Sequence, residues 1–279
     1  MSTLREKMSM DLQLKNYSPK TQQAYIRYVK RYSEYFHQSP DQLGTDEIRA
    51  YLHYLIINKK VSSSYINSVY SALKFFYQIT LKREWDIKEI PRMKKHKKLP
   101  VVLSTSEVKQ IFEATTNLKY RAIFMTIYAA GLRISEASNL KISDIDSKNM
   151  QIRVIQGKGK KDRYTLLSIE NLKVLREYFK YYRPILWLFP GNPLNKSIST
   201  RSIQKMFKKS KEKAGIKKEA TVHTLRHCFA THLIEAGTGI YHIQKLMGHT
   251  NPKTTSIYIH LTRQDVLNVK SPLDLLMGV

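Results

Sequence analysis

Apolar residues recur at helical spacing through the first third of the chain. After Ser18-Pro19, an N-cap and first-turn pair, Tyr25, Tyr28, Val29, Tyr32 and Phe36 follow at three- and four-residue steps. Thr45-Asp46-Glu47 opens a second helix that turns Ile48, Leu52, Leu55 and Ile56 inward. The serines at 62–64 precede a third, with Ile66, Val69, Tyr70, Leu73, Phe76 and Tyr77 on one stripe. Three or four amphipathic helices within about 80 residues make a small bundle. Stripe spacing assigns the tyrosines to core and rim packing in preference to a base-stacking surface.

The period then stops. Arg92-Met93-Lys94-Lys95-His96-Lys97-Lys98-Leu99-Pro100 is basic and ends in proline, the signature of a linker that could cross a phosphate backbone. Ser104 and Glu107, three apart, form a capping box that starts a new helix. The expected division is a helical domain over 1–90, a basic linker over 91–102 and a second domain over 103–279. In the second domain a buried helix, Tyr120 to Ala130, is closed by Gly131. The β-type runs 151–155 and 163–167 flank Gly157-Lys158-Gly159-Lys160-Lys161-Asp162, a hairpin with a lysine-studded tip. Helical patterns resume at 169–182, 201–214, 223–236 and 240–247. The fold class is therefore mainly α with a small β-hairpin: a helical N-terminal domain followed by a mixed α+β domain.

Charge sharpens this picture. The 279 residues carry 48 Lys+Arg against 22 Asp+Glu, so 48 − 22 gives +26. A foldable chain with this excess repels itself unless a polyanion lies against it, which points to nucleic acid, with an anionic membrane surface as the rival. The rival fails because the basic residues spread over both domains instead of forming one amphipathic helix. Cys228 is the single cysteine, so no intrachain disulfide can form. The N-terminal stretch lacks an apolar signal region, and no run is long enough for a membrane span; a cytoplasmic protein is expected.

Metal chemistry finds little support. His223, His227 and His232 lie near one helix, but Thr224 stands where a zinc-protease pattern needs glutamate. Asp144 and Asp146 read as a turn before a strand more readily than as a two-metal site. No Walker lysine motif or Gly-x-Gly-x-x-Gly fingerprint appears, so no cofactor is expected. Phosphodiester chemistry without a metal needs cationic donors on the non-bridging oxygens, a nucleophile, a base and an acid. The chain offers Gly131-Leu132-Arg133-Ile134-Ser135-Glu136, the lysine hairpin tip, His223-Thr224-Leu225-Arg226-His227, Gly248-His249 and Tyr258.

In this order and spacing these stretches resemble the tyrosine recombinase (phage integrase) family, including its Xer-type enzymes, over essentially the whole chain. The resemblance implies a SAM-like core-binding domain and a catalytic domain that close on DNA as a C-shaped clamp. It implies that Arg133, Lys158, His223, Arg226 and His249 are catalytic, that Glu136 supports Arg133, and that Tyr258 is the nucleophile. A phenol with a pKa of about 10 needs a base or strong anion stabilisation to attack at neutral pH, and His223 is the acceptor the motif suggests. Lys158 would protonate the leaving 5′ oxygen. The 3′-phosphotyrosyl link then conserves the bond energy for religation, so neither ATP nor a metal is required. Lys94, Lys95, Lys97, Lys98, Lys160 and Lys161 are expected on backbone phosphates.

The family also implies double-stranded DNA as partner. A homotetramer would form on two sites through a C-terminal tail docked in trans, here Ser271–Val279, from a monomer or weak associate off DNA. Packing of Leu273, Leu275 and Leu276 on their own domain is the alternative. Accessory proteins and a bacterial, nucleoid-associated location fit the same resemblance. The Lys-Ser-Pro-Leu-Asp-x-Leu ending is similar to that of integron integrases, although the stretch between Lys158 and His223 is too short for the helix those enzymes insert. A type IB topoisomerase and a non-catalytic DNA-binding accessory protein are the competing functions. The docking tail argues against the first, and retention of all the motif positions against the second.

Overall fold

The computed structural model describes residues 2–94, 100–155, 162–249, 251–256 and 258, in two units, Met1–Lys97 and Lys98–Val279. The first unit is helical: α1 (Ser2–Leu14), α2 (Pro19–Phe36), α3 (Thr45–Ile57) and α4 (Ser63–Phe75). Ser18 caps α2, its Oγ accepting from the Thr21 N–H at 3.3 Å. Tyr28, Val29 and Tyr32 are buried, and the Tyr77 hydroxyl donates to Pro40 O at 2.7 Å. These tyrosines are core residues, and the hydroxyls of Tyr32 and Tyr77 lie 3.3 Å apart, within hydrogen-bond reach of each other. Helix α1 extends the bundle beyond the three stripes read from the sequence. Among its described side chains it buries only Met8 and Leu12, one per turn, too thin a stripe to mark a helix against its charged neighbours. At its end α4 loosens into a π-helical turn, Phe76–Thr80, with Leu81 N bonding Phe76 O at 2.9 Å. Arg92 folds back onto α4, donating to Asn67 and Ser71 and lying over the Tyr70 ring, while Lys94 is exposed.

The second unit begins with α5 (Thr105–Ala114), where Ser104 and Glu107 exchange the two bonds of a capping box at 2.7 and 3.2 Å. Helix α6 (Leu118–Ala130) is the centre of the core, with Ile123, Phe124 and Ile127 fully buried. Its chain direction reverses at Gly131, whose φ is +60°. A Cβ there would sit 2.3 Å from the Phe229 ring, so both conformation and space require glycine. The short α7 (Ile134–Ser138) follows, then β1 (Ile145–Asp146), β2 (Gln151–Val154) and β3 (Arg163–Leu166), an antiparallel sheet in the order β1-β2-β3. The hairpin therefore carries a third, two-residue strand. Asp146 closes the turn between β1 and β2 by accepting from the Lys148 and Asn149 N–H groups. Asp144 is buried on the Lys141 N–H and the Arg153 guanidinium. Val154 pairs with Arg163, which sets Arg163 at the start of β3. Helices α8 (Ile169–Tyr182), α9 (Thr200–Lys213) and α10 (Val222–Glu235) pack around α6; α11 (Ile240–Met247) lies against α10 and β3, and α12 (Pro252–Thr255) follows. Among the described residues no helix is long and apolar enough to cross a membrane.

Candidate active site

Reversal at Gly131 delivers Arg133 to the N-cap of α7 with an extended backbone. Glu136, one turn on, reaches back to it. The Arg133 N–H donates to Oε2 at 2.8 Å and its Nη1 to Oε1 at 2.6 Å. Arg163, arriving from β3, lays its guanidinium on the same carboxylate, Nη1 to Oε1 at 3.0 Å and Nη2 to Oε2 at 2.8 Å. Its Nε donates to Leu246 O at 2.8 Å, tying the sheet to α11. Nη1 of Arg226 stands 3.7 Å from Oε2. One carboxylate, 6% exposed, thus faces three arginines. Burial alone would raise its pKa, but the bonds and charge of Arg163, with those of Arg133, overcome this and hold it at about 2.

Arg226 is 1% exposed on α10. It donates to Gly131 O, to Met247 O at 2.6 Å and to His249 Nε2 at 3.1 Å. Burial, then the charge of Arg133, lowers it to about 9, still cationic at neutral pH. A guanidinium can only donate, so His249 Nε2 accepts and the ring proton sits on Nδ1, which faces Thr255 Oγ1 at 2.8 Å. Burial and the surrounding arginines lower His249 to about 4, consistent with this neutral tautomer. Gly248, which closes α11 at φ +63°, allows the close approach. A Cβ there would lie 2.8 Å from Arg163 Cδ.

Tyr258 is buried, with 3% of its surface exposed. Its ring lies parallel to His249, 6.4 Å away at 11°. Its hydroxyl is 2.9 Å from His227 Nδ1, not on His223. Burial raises its pKa, while Arg226 and Arg133 oppose the rise. His223 lies one turn before His227, ring centroids 4.7 Å apart, and opens to solvent. Burial of its inner side and the Arg226 and Arg133 charges lower its pKa. His232 points elsewhere, bonded to the Tyr128 hydroxyl and to Leu103 O. Beside Arg133 opens a hollow of about 750 Å³ lined by Lys141, Arg153 and Trp187 among others.

Arg133, Glu136, His223, Arg226, His249 and Tyr258 therefore meet in one place, from stretches of chain far apart in sequence. Lys158, Lys160 and Lys161 lie outside the described residues, as do Lys95, Lys97, Lys98 and the Ser271–Val279 tail. Arg163 and Thr255 escape a reading of the sequence, and His227, which the sequence offers as a weak metal-ligand candidate and within the His223–His227 stretch, is not legible there as the partner of Tyr258. Arg163 could be suspected only from its place at the mouth of the lysine hairpin.

The phage integrase family model matches residues 101–265, and that of the phage integrase N-terminal SAM-like domain matches residues 4–87. The chain belongs to the phage integrase family. A Sinorhizobium fredii protein, y4qK, named among the integrase/recombinases, is 43% identical to this integrase over 277 residues, 99% of this chain and 90% of its own. The tyrosine recombinase XerC of Lactobacillus leichmannii is 34% identical over 272 residues, covering 90% of this chain and 91% of its own. A lambda integrase fragment, crystallised as a dimer on a core site, superposes with a TM-score of 0.76 at 19% identity, covering 97% of this chain and 98% of the fragment. At that identity it shares the fold of this integrase. The family is that of the tyrosine recombinases, enzymes of site-specific recombination.

Proposed function

We propose that this integrase cuts and rejoins duplex DNA through Tyr258, forming a 3′-phosphotyrosyl intermediate and exchanging strands between two sites. The observation that carries this reading is the buried Tyr258 hydroxyl set beside Arg226 and Arg133, whose charges already act on it. A phosphate seated there meets the guanidiniums of Arg226 and Arg133, cationic donors for the non-bridging oxygens where charge grows in the transition state, while His249 accepts from Arg226 and holds that guanidinium in place. Glu136 fixes the arginines without cancelling them, since one buried carboxylate faces three cations. His223 borders the phosphate from the open side, and Lys158 is the acid for the leaving 5′ oxygen. The basic hollow with Lys141 and Arg153 continues the phosphate track away from Arg133. Lys94, Lys95, Lys97, Lys98, Lys160 and Lys161 add backbone contacts.

On DNA the active form is a homotetramer bridging two duplexes, each Ser271–Val279 tail docking on its neighbour, in a bacterial cytoplasm and with accessory proteins where the site demands them. Incubation with a nicked duplex carrying the recombination core site is expected to trap a covalent adduct that Tyr258→Phe abolishes. An adduct formed by Tyr258→Phe refutes the assignment. Deleting Ser271–Val279 is expected to weaken assembly on paired sites more than binding to one site. Unchanged recombination by the deletion refutes the trans docking.

A further inference from the structure

The hydroxyl of Tyr258 has a definite partner, and it is not the histidine that the family motif suggests. His227 Nδ1 lies 2.9 Å from the phenolic oxygen, and Tyr258 is 3% exposed, so bulk water has little access to the proton. A neutral phenol donates, so Nδ1 holds a lone pair and the ring proton of His227 is on Nε2. His223, by contrast, is open to solvent at the edge of the site.

We propose that His227 is a catalytic residue of strand cleavage: its Nδ1 aims the Tyr258 hydroxyl and takes the phenolic proton as the oxygen attacks phosphorus. This rests on the phosphotyrosyl reading above. In the step, the Tyr258 O–H bond breaks and an N–H bond forms at His227 Nδ1. The phenolic oxygen bonds to phosphorus, and the bond from phosphorus to the 5′ oxygen breaks. The departing oxygen takes a proton from the acid on the opposite side. Religation runs the same transfers backward, His227 returning its proton to Tyr258.

The energetics fit a transfer coupled to bond formation rather than one that precedes it. Burial, then His223 and Arg226, hold His227 at about 4, while burial raises the phenol above its ordinary value. Ionisation before attack is therefore strongly uphill, and the resting enzyme keeps its nucleophile protonated and harmless. Once the oxygen is bonded to phosphorus it is an aryl ester oxygen with almost no basicity. A base whose pKa lies between those two extremes gains the proton during the step, the condition for general-base catalysis. The incoming phosphate also adds negative charge beside His227, against the cations His227 now faces, and raises its basicity at the moment it is needed. The groups surrounding His227 are His223 and Arg226 on its own helix, His249 after α11, and Tyr258 itself.

The test uses the full chain and a nicked duplex whose core site is recovered by selection from random DNA. Single-turnover adduct formation is followed from about pH 4 to 9, a range that reaches the low pKa of His227, for the wild type, His227→Gln and His223→Gln. Glutamine can accept the phenolic hydrogen bond but cannot take the proton. His227→Gln is expected to slow the adduct roughly 100-fold or more, with duplex affinity within about threefold, and to lose the acid limb of the pH profile that His223→Gln retains. A His227→Gln rate within about threefold of wild type, or a slow rate with the acid limb intact, overturns the role of His227 alone. A wild-type chain that forms no adduct overturns the phosphotyrosyl reading beneath it. Independently of DNA, nitrogen NMR of the histidines should show His227 as the Nε2–H tautomer, with its Nδ1 signal displaced by Tyr258→Phe. No displacement overturns the docking.

Discussion

Replacing Glu136 by glutamine keeps the shape of the side chain and removes the one negative charge that Arg133, Arg163 and Arg226 share. The size of the effect follows from the held pKa. A fall from the ordinary 4.5 to about 2, at about 1.36 kcal/mol per pH unit, makes the charge worth about 3 kcal/mol of folding free energy. The side chain is 6% exposed, so solvent screening takes little from this. Burial of an arginine against a lost partner gives the same range, about 3–5 kcal/mol. Because the folded pKa is depressed, the stabilisation is complete above about pH 4.5 and is lost as pH falls toward 2. Urea unfolding of the 98–279 unit in the full chain can be followed through Trp187 in a Trp85→Phe background, since the two tryptophans fall one in each unit. Glu136→Gln should be less stable than its parent by about 3 kcal/mol near neutral pH, the gap narrowing to about 2 by roughly pH 3.5. A gap below about 1 kcal/mol at neutral pH, or one that does not shrink in acid, would show that Glu136 is not the electrostatic hub of the site.

Other perturbations test the neighbouring contacts. Gly248→Ala forces a left-handed φ on alanine and places a methyl 2.8 Å from Arg163 Cδ; a loss of about 1–2 kcal/mol or more is expected in the same unfolding assay. Gly131→Ala meets the Phe229 ring at 2.3 Å, and its melting temperature should fall further than that of Gly248→Ala, whose approach to Arg163 Cδ is longer at 2.8 Å. Arg226→Lys cannot hold Gly131 O, Met247 O and His249 Nε2 together; adduct formation should drop about 100- to 1,000-fold, with duplex binding within about tenfold. Binding itself should weaken steeply with salt, and each of Lys94, Lys160 and Lys161 changed to Ala should lower the slope of log affinity against log salt by about one; an unchanged slope removes that lysine from the backbone contacts.

The helices and the hairpin were legible because each is announced within a few residues. Ser18-Pro19, the Ser104–Glu107 box and Gly131 are local signals of start and stop, and the stripes on α2, α3 and α4 name their own buried faces. What stayed hidden had no local cause. Helix α1 is held by two side chains against a bundle it cannot specify alone, and β1 is strand only because Ile145 finds Ile152. The motifs placed Arg133, His223, Arg226, His249 and Tyr258 in the site but were silent on who holds whom.

By itself, then, the sequence determined the elements, the excess of positive charge and the residue types available for phosphoryl chemistry. The tertiary structure alone decided their pairing. Arg163 reaches Glu136 across 27 residues, and Tyr258 reaches His227 across 31. Such bonds depend on where β3, α7, α10 and the turn after α12 come to rest, which the packing of the core around α6 sets and no spacing along the chain encodes. A proton goes to the acceptor that the fold has brought within hydrogen-bond reach.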